Sequence, residues 1–243
     1  MRLIRVLGRS LLALATGLLL LVIVTAVYLI LRVTGFEQLD DEIRVAGKQH
    51  YLQSIRRNPP TLEQAPNIVF ILYDDMGYGD IGFGAQGNRL LNTPHIDRLA
   101  DEGLVFSDFH SPSGSIKELA FSKLADPDSN LRLPAEEITL ADLLKAAGYR
   151  TGMVGKWHLG DRSPSLPNDM GFDSYFGALY SNDMEPFALY RDHEIAVPAP
   201  ADQSYITEWY TAEAVSFIEQ DTGDPFFLYF AHNFPHDPLF VRD

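Results

Sequence analysis

Five residues, in three separate segments, carry side chains that could act together on an anionic group. Asp74 and Asp75 are adjacent, and two neighbouring carboxylates resist desolvation unless a cation pairs with them. Their hard oxygens favour Ca²⁺ or Mg²⁺ over Zn²⁺. Lys156 and His158 lie two positions apart, and His236 follows in a later segment. A cation, a lysine and two imidazoles suit an anionic tetrahedral ester, because they neutralise its oxygens and transfer its protons.

An apolar run precedes each of these segments, as in the strands of a parallel sheet. Residues 68–73 are β-branched, aromatic or Leu, which predicts a strand covered on both faces. The runs 151–154 and 226–231 lead into the other two segments, and the run 104–106 predicts a further strand. Because ligands of open α/β sheets bind at the carboxyl ends of strands, we expect the five residues at one end of the sheet. Taken singly, each segment also fits an ordinary surface turn.

Three amphipathic stretches between these runs predict helices. Thr93 begins the first, which ends at Gly103, and Thr139 begins the second, which ends at Gly148. The third covers residues 205–220, where apolar residues recur at helical spacing. This alternation of strands and helices predicts an α/β fold with a mostly parallel central sheet flanked by helices.

The composition excludes several classes of partner and of site. A net charge of -14 argues against nucleic acid as a partner. The chain contains no cysteine, so disulfides, thiolate metal sites and a cysteine nucleophile are excluded. With 243 residues and 46% hydrophobic content, it has room for one sizeable domain and a membrane segment.

The N-terminal region has the pattern of a membrane anchor. Basic residues precede an almost unbroken apolar run from Leu11 to Leu31, which at about 1.5 Å per residue spans a hydrocarbon core of about 30 Å. A cleaved signal peptide is the less favoured alternative, because the run is long and no small-x-small site follows it. Basic residues in front and acidic residues behind place the N-terminus in the cytosol and the domain on the periplasmic, extracellular or lumenal side, with the lipid bilayer as a partner. The predicted parts are a cytosolic tail at 1–9, one transmembrane helix at 10–32, a juxtamembrane stalk at 33–65 and a domain at 66–243.

Four motifs stand in the order of a known family. They cover residues 67–80, 93–100, 139–149 and 155–160, the last reading Gly-Lys-Trp-His-Leu-Gly. Over about residues 66–240 the chain therefore resembles the N-terminal part of a formylglycine-dependent sulfatase of the alkaline-phosphatase-like class. The resemblance implies that family's α/β fold and the hydrolysis of sulfate esters, on an aryl or a carbohydrate substrate.

The same resemblance implies a role for each of the five residues. Asp74 and Asp75 would be Ca²⁺ ligands, Lys156 and His158 would hold oxygens of the sulfate and of the nucleophile, and His236 would face the ester oxygen. Residues 182–184 resemble a loop that lines the substrate pocket in some members, although an ordinary polar turn accounts for Asn-Asp-Met equally well.

The stretch that should carry the nucleophile departs from the family's pattern. In the family, a Cys or Ser within a Cys/Ser-x-Pro-x-Arg motif is oxidised to formylglycine, whose hydrate attacks sulfur. Here neither Ser111, Ser113 nor Ser115 has the Pro and Arg at the required spacing, so formylglycine is not encoded. The stretch between Ser113 and Ala125 is short and foreign in composition, as an internal deletion, a frame change or a splicing choice would leave it. Ser115 with Lys117 is a weaker substitute, because an unoxidised serine needs a base.

A second departure lies at the end of the chain, which stops at Asp243, shortly after His236. In the family, a later strand supplies further metal ligands and a second lysine. We therefore expect Ca²⁺ to be weakly held, since it takes about six to eight oxygen ligands and this chain offers two carboxylates. We also expect a truncated, incomplete sheet with an exposed apolar edge.

The leading hypothesis is a membrane-anchored sulfatase-family protein whose reaction is sulfate-ester hydrolysis, with this chain inactive or incomplete. Its expected ligand is a small sulfate ester or a sulfated glycan. One alternative is a non-catalytic anchored module that binds sulfated glycan, or a non-functional fragment. A second is a phosphodiesterase of the same superfamily with a Zn²⁺ pair, against which the Gly-Lys-Trp-His-Leu-Gly motif argues.

Overall fold

The computed structural model describes residues 16–28, 39–61, 65–82, 91–109, 127, 130–220 and 222–242. Two parts of the sequence analysis lie outside these residues. They are the predicted cytosolic tail at 1–9 and the departure from the nucleophile motif at 111–125.

The chain divides into two compact units, residues 1–38 and 39–243. In the first unit, residues 16–28 are helical. Within the described ranges, no helix combines the length and the apolar character needed to cross a membrane. The predicted anchor at 10–32 extends past the described helix at both ends, so its membrane span stays a prediction, as does the stalk at 33–65.

One six-stranded sheet organises the second unit. Its strands are β1 (Ile68–Tyr73), β2 (Arg150–Gly155), β3 (Ser174–Gly177), β4 (Leu189–Arg191), β5 (Glu194–Val197) and β6 (Phe226–His232). Their order across the sheet is β1-β6-β2-β3-β4-β5. The first four in that order run parallel, and β4 and β5 extend one edge in antiparallel fashion. The predicted α/β class, with a mostly parallel sheet and flanking helices, is confirmed.

Helices occur where the amphipathic stretches predict them, and one more precedes the sheet. They are α1 (Glu42–Arg57), α2 (Pro94–Glu102), α3 (Leu140–Ala146) and α4 (Ile206–Glu219). α3 begins as predicted, because the Thr139 hydroxyl accepts the Asp142 N–H and the Asp142 carboxylate accepts the Thr139 N–H. Gly148 follows its end with φ +99°, a conformation that favours glycine. Thr93 differs, since its hydroxyl donates to the Asp97 carboxylate and makes no capping bond to α2.

Two apolar clusters lie on opposite faces of the sheet. One contains Met153 and Phe227 and includes Ala141 of α3, and the other contains Leu228 and includes Tyr210 of α4. Because side chains alternate along a strand, the neighbours Phe227 and Leu228 enter opposite clusters. The central strands are therefore buried on both faces, as expected for parallel strands.

α1 lies inside the segment predicted as a stalk and packs against α3. Leu52 of α1 is buried, and the Lys48 ammonium lies 2.8 Å from the Asp142 carboxylate. Lys48 also donates to the Glu137 carbonyl at 2.7 Å. Breaking a buried ion pair by removing one partner costs about 3–5 kcal/mol, so this contact holds α1 in place. α1 is thus part of the second compact unit.

The prediction that residues 68–73 are covered on both faces is wrong. β1 is an edge strand, and among the described strands it pairs with β6 alone. Its side chains at positions 69–73 are exposed, Phe70 by 52%. An apolar run fits a doubly buried strand and an uncovered edge strand equally well, because neighbouring elements decide the burial. The apolar edge of the sheet lies here.

The predicted strand at 104–106 is also absent. Leu104, Val105 and Phe106 are irregular and exposed, and no described strand pairs with them. Strand propensity reflects packing against neighbours, so three apolar residues without a partner do not form a strand. The hairpin of β4 and β5, in contrast, is present although the sequence patterns do not predict it. Strands of three and four residues are too short to show a hydrophobic periodicity.

We expect Ile71→Lys to reduce self-association of the chain and to leave the fold intact. Ile71 is half exposed on the unpaired edge, where a charge opposes pairing between the edges of two molecules. Light scattering and sedimentation at equal concentration should both show less association in the variant. Association at the level of the unmodified chain would contradict the prediction.

The matched control is Leu228→Lys in the adjacent strand β6. Leu228 is 1% exposed, so a lysine there would place a charge in the core. The chain should lose about 3 kcal/mol or more of unfolding free energy, measured by urea denaturation.

Candidate functional site

The strand register brings three distant segments together at one end of the sheet. β6 is the common neighbour, with Tyr73 level with His232 and Gly155 level with Ala231. The residues that follow β1 and β2 therefore leave the sheet on either side of β6. We call Asp74, Asp75, Lys156, His158 and His236 together the five-residue site.

Lys156 and Asp74 make the shortest contact of the site. The Lys156 ammonium lies 2.5 Å from Oδ2 of Asp74 and 3.4 Å from the Ser181 hydroxyl. The Lys156 side chain is 13% exposed, so the partner carboxylate offsets much of the cost of removing the ammonium from water. The structure thus places both residues at the ends of the two strands that flank β6, while their chemical roles stay predictions.

Asp75 and His236 make a second, looser contact. His236 Nε2 lies 3.8 Å from Oδ2 of Asp75, and His236 Nδ1 lies 2.6 Å from the Asp237 carbonyl oxygen. A carbonyl only accepts, so Nδ1 carries a proton, and Nε2 can accept a proton and then donate it. The Asp75 side chain is 71% exposed, and the residue has φ +64°, which non-glycine residues rarely adopt.

His158 is held by its backbone and by its ring. Its N–H donates to the Leu179 carbonyl at 2.9 Å, and its ring meets the Tyr180 ring edge-on, with centroids 5.6 Å apart. His158 has φ +60°, so two non-glycine residues of the five-residue site have left-handed backbones. Such strain persists only where the surroundings over-determine the conformation, and it is frequent at functional sites.

Asn182 supports the segment that carries His236. Its buried side-chain amide donates to the carbonyls of His236 and Pro238 at 3.0 and 2.8 Å. The Gln203 amide donates in turn to the Asn182 carbonyl at 2.9 Å. The structure places Asn182 beside the segment that carries His236, while the pocket-lining role of residues 182–184 stays a prediction.

Ser181 lies in the site, and no motif points to it. It is buried, and its hydroxyl is 3.4 Å from the Lys156 ammonium. Its one sequence signal is its position beside Asn182. Ser181 follows a different strand from Lys156 and lies 25 residues away along the chain, so local spacing does not connect the two.

His232, at the end of β6, is a neutral imidazole behind the site. Its Nδ1 accepts the Phe234 N–H at 2.9 Å, so Nε2 carries the proton, and Nε2 lies 3.2 Å from the Thr207 hydroxyl. The rings of Tyr73 and Tyr210 pack around it. Burial lowers the pKa of His232 from 6.5 to about 4, because the charged form loses its hydration.

The carboxylates of the five-residue site are the type of ligand that a hard cation binds, but there are too few of them to fill its coordination shell. Asp74 and Asp75 offer carboxylate oxygens, and Ca²⁺ takes about six to eight such ligands. Within the described ranges, no group of three or more His, Cys, Asp or Glu side chains is arranged to hold a metal ion. The Lys156 ammonium stands where a cation would neutralise Asp74. Burial, and then the charge of Asp74, raise the pKa of the nearby Tyr229 phenol, so the negative field of this carboxylate reaches into β6.

Comparison with known proteins identifies one family. The family model named Sulfatase matches residues 66–243. Arylsulfatase G of Mus musculus is 36% identical over an alignment of 224 residues, and the match covers 72% of this chain and 42% of the relative. N-acetylgalactosamine-6-sulfatase of Mus musculus is 34% identical over an alignment of 216 residues, and the match covers 73% of this chain and 41% of the relative. The chain thus spans less than half the length of these curated relatives.

A solved structure gives the same result. The crystal structure of Ps i-CgsB in complex with k-i-k-neocarrahexaose is 32% identical and superposes with a TM-score of 0.61. The match covers 72% of this chain and 46% of that chain.

We expect the stability of the chain to fall between pH 6.5 and pH 4 because of His232. Its folded-state pKa is depressed, so its contribution to the unfolding free energy is fully present above the unfolded-state pKa of 6.5. As the pH falls below 6.5, the unfolded chain binds a proton that the folded chain does not bind, and this contribution is lost. A shift from 6.5 to about 4 corresponds to roughly 3 kcal/mol of unfolding free energy. Urea denaturation at a series of pH values measures this slope.

His232→Asn should flatten the slope, because its side-chain oxygen can still accept the Phe234 N–H but no longer titrates in this range. His193→Asn, at an exposed histidine, is the matched control and should leave the slope unchanged. Equal slopes in the unmodified chain and in His232→Asn would contradict the assignment.

Proposed function

Because the chain belongs to the sulfatase family, we propose that its five-residue site binds the sulfate group of an aryl or carbohydrate sulfate ester, the kind of ester that this family hydrolyses. The names of the relatives arylsulfatase G and N-acetylgalactosamine-6-sulfatase favour these two kinds of ester. The structure of Ps i-CgsB with k-i-k-neocarrahexaose favours a carbohydrate.

The meeting of Lys156 with Asp74 is the observation that carries the proposal. A sulfate ester presents charged tetrahedral oxygens, and an ammonium withdrawn from water is a strong point charge for such a group. The Lys156 side chain is 13% exposed, so binding costs it little side-chain freedom. His236 adds an imidazole that can donate to an ester oxygen once it is protonated.

Turnover is a separate matter from binding. The chain has no cysteine, and no serine stands in a Ser-x-Pro-x-Arg motif, so it cannot form the family's nucleophile. Lys156, His158 and His236 can position and neutralise an ester, but none replaces the oxygen that attacks sulfur. We therefore propose that this chain binds the ester without hydrolysing it.

The local charge sets a condition on binding. Asp74 and Asp75 carry two negative charges against the single positive charge of Lys156, and this excess repels a sulfate. Ca²⁺ bound by the two carboxylates would reverse the sign of the field and release Lys156 from Asp74. Cation and ester should therefore bind cooperatively, each raising the affinity of the other by the same factor.

Lys156→Met should weaken binding of 4-nitrophenyl sulfate by about 10- to 100-fold, since hydrogen bonds to charged groups contribute about 1.5–3 kcal/mol. Isothermal titration calorimetry in Ca²⁺ measures the dissociation constant. Lys145→Met is the matched control, because Lys145 also pairs with an aspartate at 2.8 Å, and this partner, Asp173, contacts Thr151 at the opposite end of β2. Equal weakening by both substitutions would contradict the assigned site.

The same ester tests turnover, because hydrolysis releases coloured nitrophenol. We expect no release above the uncatalysed rate. Release that is lost in Lys156→Met would show a working sulfatase, against the binding-only proposal. Release from bis(4-nitrophenyl) phosphate, and none from the sulfate, would favour a phosphodiesterase of the same superfamily.

Asp75→Asn should abolish the cooperation between Ca²⁺ and the ester. The substitution removes one of two carboxylates, so Ca²⁺ affinity should fall and the ester should bind equally with and without Ca²⁺. Asp183→Asn, which removes a carboxylate from the loop that follows Ser181, is the control. Ester affinity that does not depend on Ca²⁺ in the unmodified chain would rule out this coupling.

A further inference from the structure

The loop from Lys156 to Gly160 is held from behind by residues outside the five-residue site. Gly160 has φ +133°, and a Cβ there would lie 2.9 Å from Cβ of Arg132 and 3.1 Å from Cβ of Ser165. The end of the loop therefore rests directly on these two residues. Close backbone approach of this kind transmits small displacements, because packed interiors deform little.

Ser165 connects this support to the middle of the loop. The Trp157 indole N–H donates to the Ser165 carbonyl at 2.8 Å, and both residues are buried. The Ser165 hydroxyl donates to the Leu133 carbonyl at 2.5 Å, and the Leu133 N–H donates to the Leu159 carbonyl at 2.7 Å. Trp157 lies between Lys156 and His158 in sequence, so its indole fixes the turn that presents both.

Arg132 connects the support to the N-terminal side of α1. One guanidinium nitrogen donates to both Oδ1 of Asp40, at 2.9 Å, and the Ser165 hydroxyl, at 3.0 Å. The other donates to Oδ2 of Asp40 at 2.6 Å. The Ala135 N–H donates to the same carboxylate at 3.0 Å. Asp40 stands two residues before α1, so the segment that begins the second compact unit touches the network behind the site.

The hydrogen bonds of this network need an arginine at position 132. A planar guanidinium can serve both carboxylate oxygens and the hydroxyl at once, whereas a lysine ammonium is a single point charge with no fork. Arg132 is 13% exposed, and Asp40 is 22% exposed, so solvent screens the pair only in part. The pair therefore holds Ser165 in one geometry.

We infer that Asp40, Arg132 and Ser165 are positioning residues for the Lys156–Gly160 loop, and that they set its affinity for sulfate without touching the ligand. This inference rests on the proposed function for its effect on binding. Its structural part, control of the Trp157 environment, stands independently of ligand binding.

Arg132→Lys tests the inference in the full chain. The chain has two tryptophans, so Trp209→Phe as a common background leaves Trp157 as the only indole reporter. We expect Arg132→Lys to raise acrylamide quenching of Trp157 and to shift its emission to longer wavelength. The dissociation constant for inorganic sulfate in Ca²⁺, measured by calorimetry, should rise roughly three- to tenfold, the effect of about one lost hydrogen bond.

Arg44→Lys is the matched control, since Arg44 lies on α1 and pairs with Glu136 and Glu137 without reaching Ser165 in any contact described above. Both readouts should match those of the background chain. Unchanged Trp157 quenching in a folded Arg132→Lys chain would overturn the inference. If Arg132→Lys does not fold, Ser165→Ala removes the hydroxyl between Arg132 and Leu133, and unchanged quenching there would overturn it equally. If no chain binds sulfate, the proposed function fails, and the Trp157 readout still decides the network.

Discussion

The site depends on how closely three strands approach one another where β2 ends. Gly155 has φ +115°, and a Cβ there would lie 1.8 Å from the Ala231 carbonyl oxygen of β6. At Gly177 of β3, a Cβ would lie 1.9 Å from the Gly155 carbonyl oxygen. No side chain fits at either position, so glycine alone allows these strands to pack and turn together. Lys156 is the next residue, and its N–H donates to the same Ala231 carbonyl at 2.7 Å.

This backbone geometry brings opposite charges together before any ligand arrives. Lys156 emerges beside Asp74 because β6 is the single strand between β1 and β2. The ion pair keeps both groups partly buried at a lower cost than either would have alone. Under the proposed function, the bound sulfate would take the place of Asp74 beside Lys156, and the bound cation would take the place of Lys156 beside Asp74. Such an exchange would make the affinities for the two ligands interdependent.

Sequence patterns predicted the parts of the fold that local chemistry decides. The end of α3 at Gly148 and its capping by Thr139 depend on a few neighbouring residues, and the structure has both. The burial of β1 and the state of residues 104–106 depend on which elements cover them, and an apolar run does not encode its neighbours. Within the site, adjacent carboxylates and a Gly-Lys-Trp-His-Leu-Gly motif identify strand ends. Ser181 and Asn182 reach the site through the fold, so spacing alone could not assign their contacts.

The backbone and loop contacts that hold Lys156 bear on whether this chain could bind an ester without turning it over. Its backbone bonds to β6, and its loop bonds to Ala178 and Leu179 after β3. Behind the loop, Trp157 bonds to Ser165. All of these partners lie between residues 165 and 231. None of them belongs to the stretch around Ser113, where the family's nucleophile motif would stand. A change confined to that stretch removes the attacking oxygen and spares every one of these contacts. These contacts would therefore keep the charge and geometry at Lys156 even without the nucleophile, as the proposed binding without turnover requires.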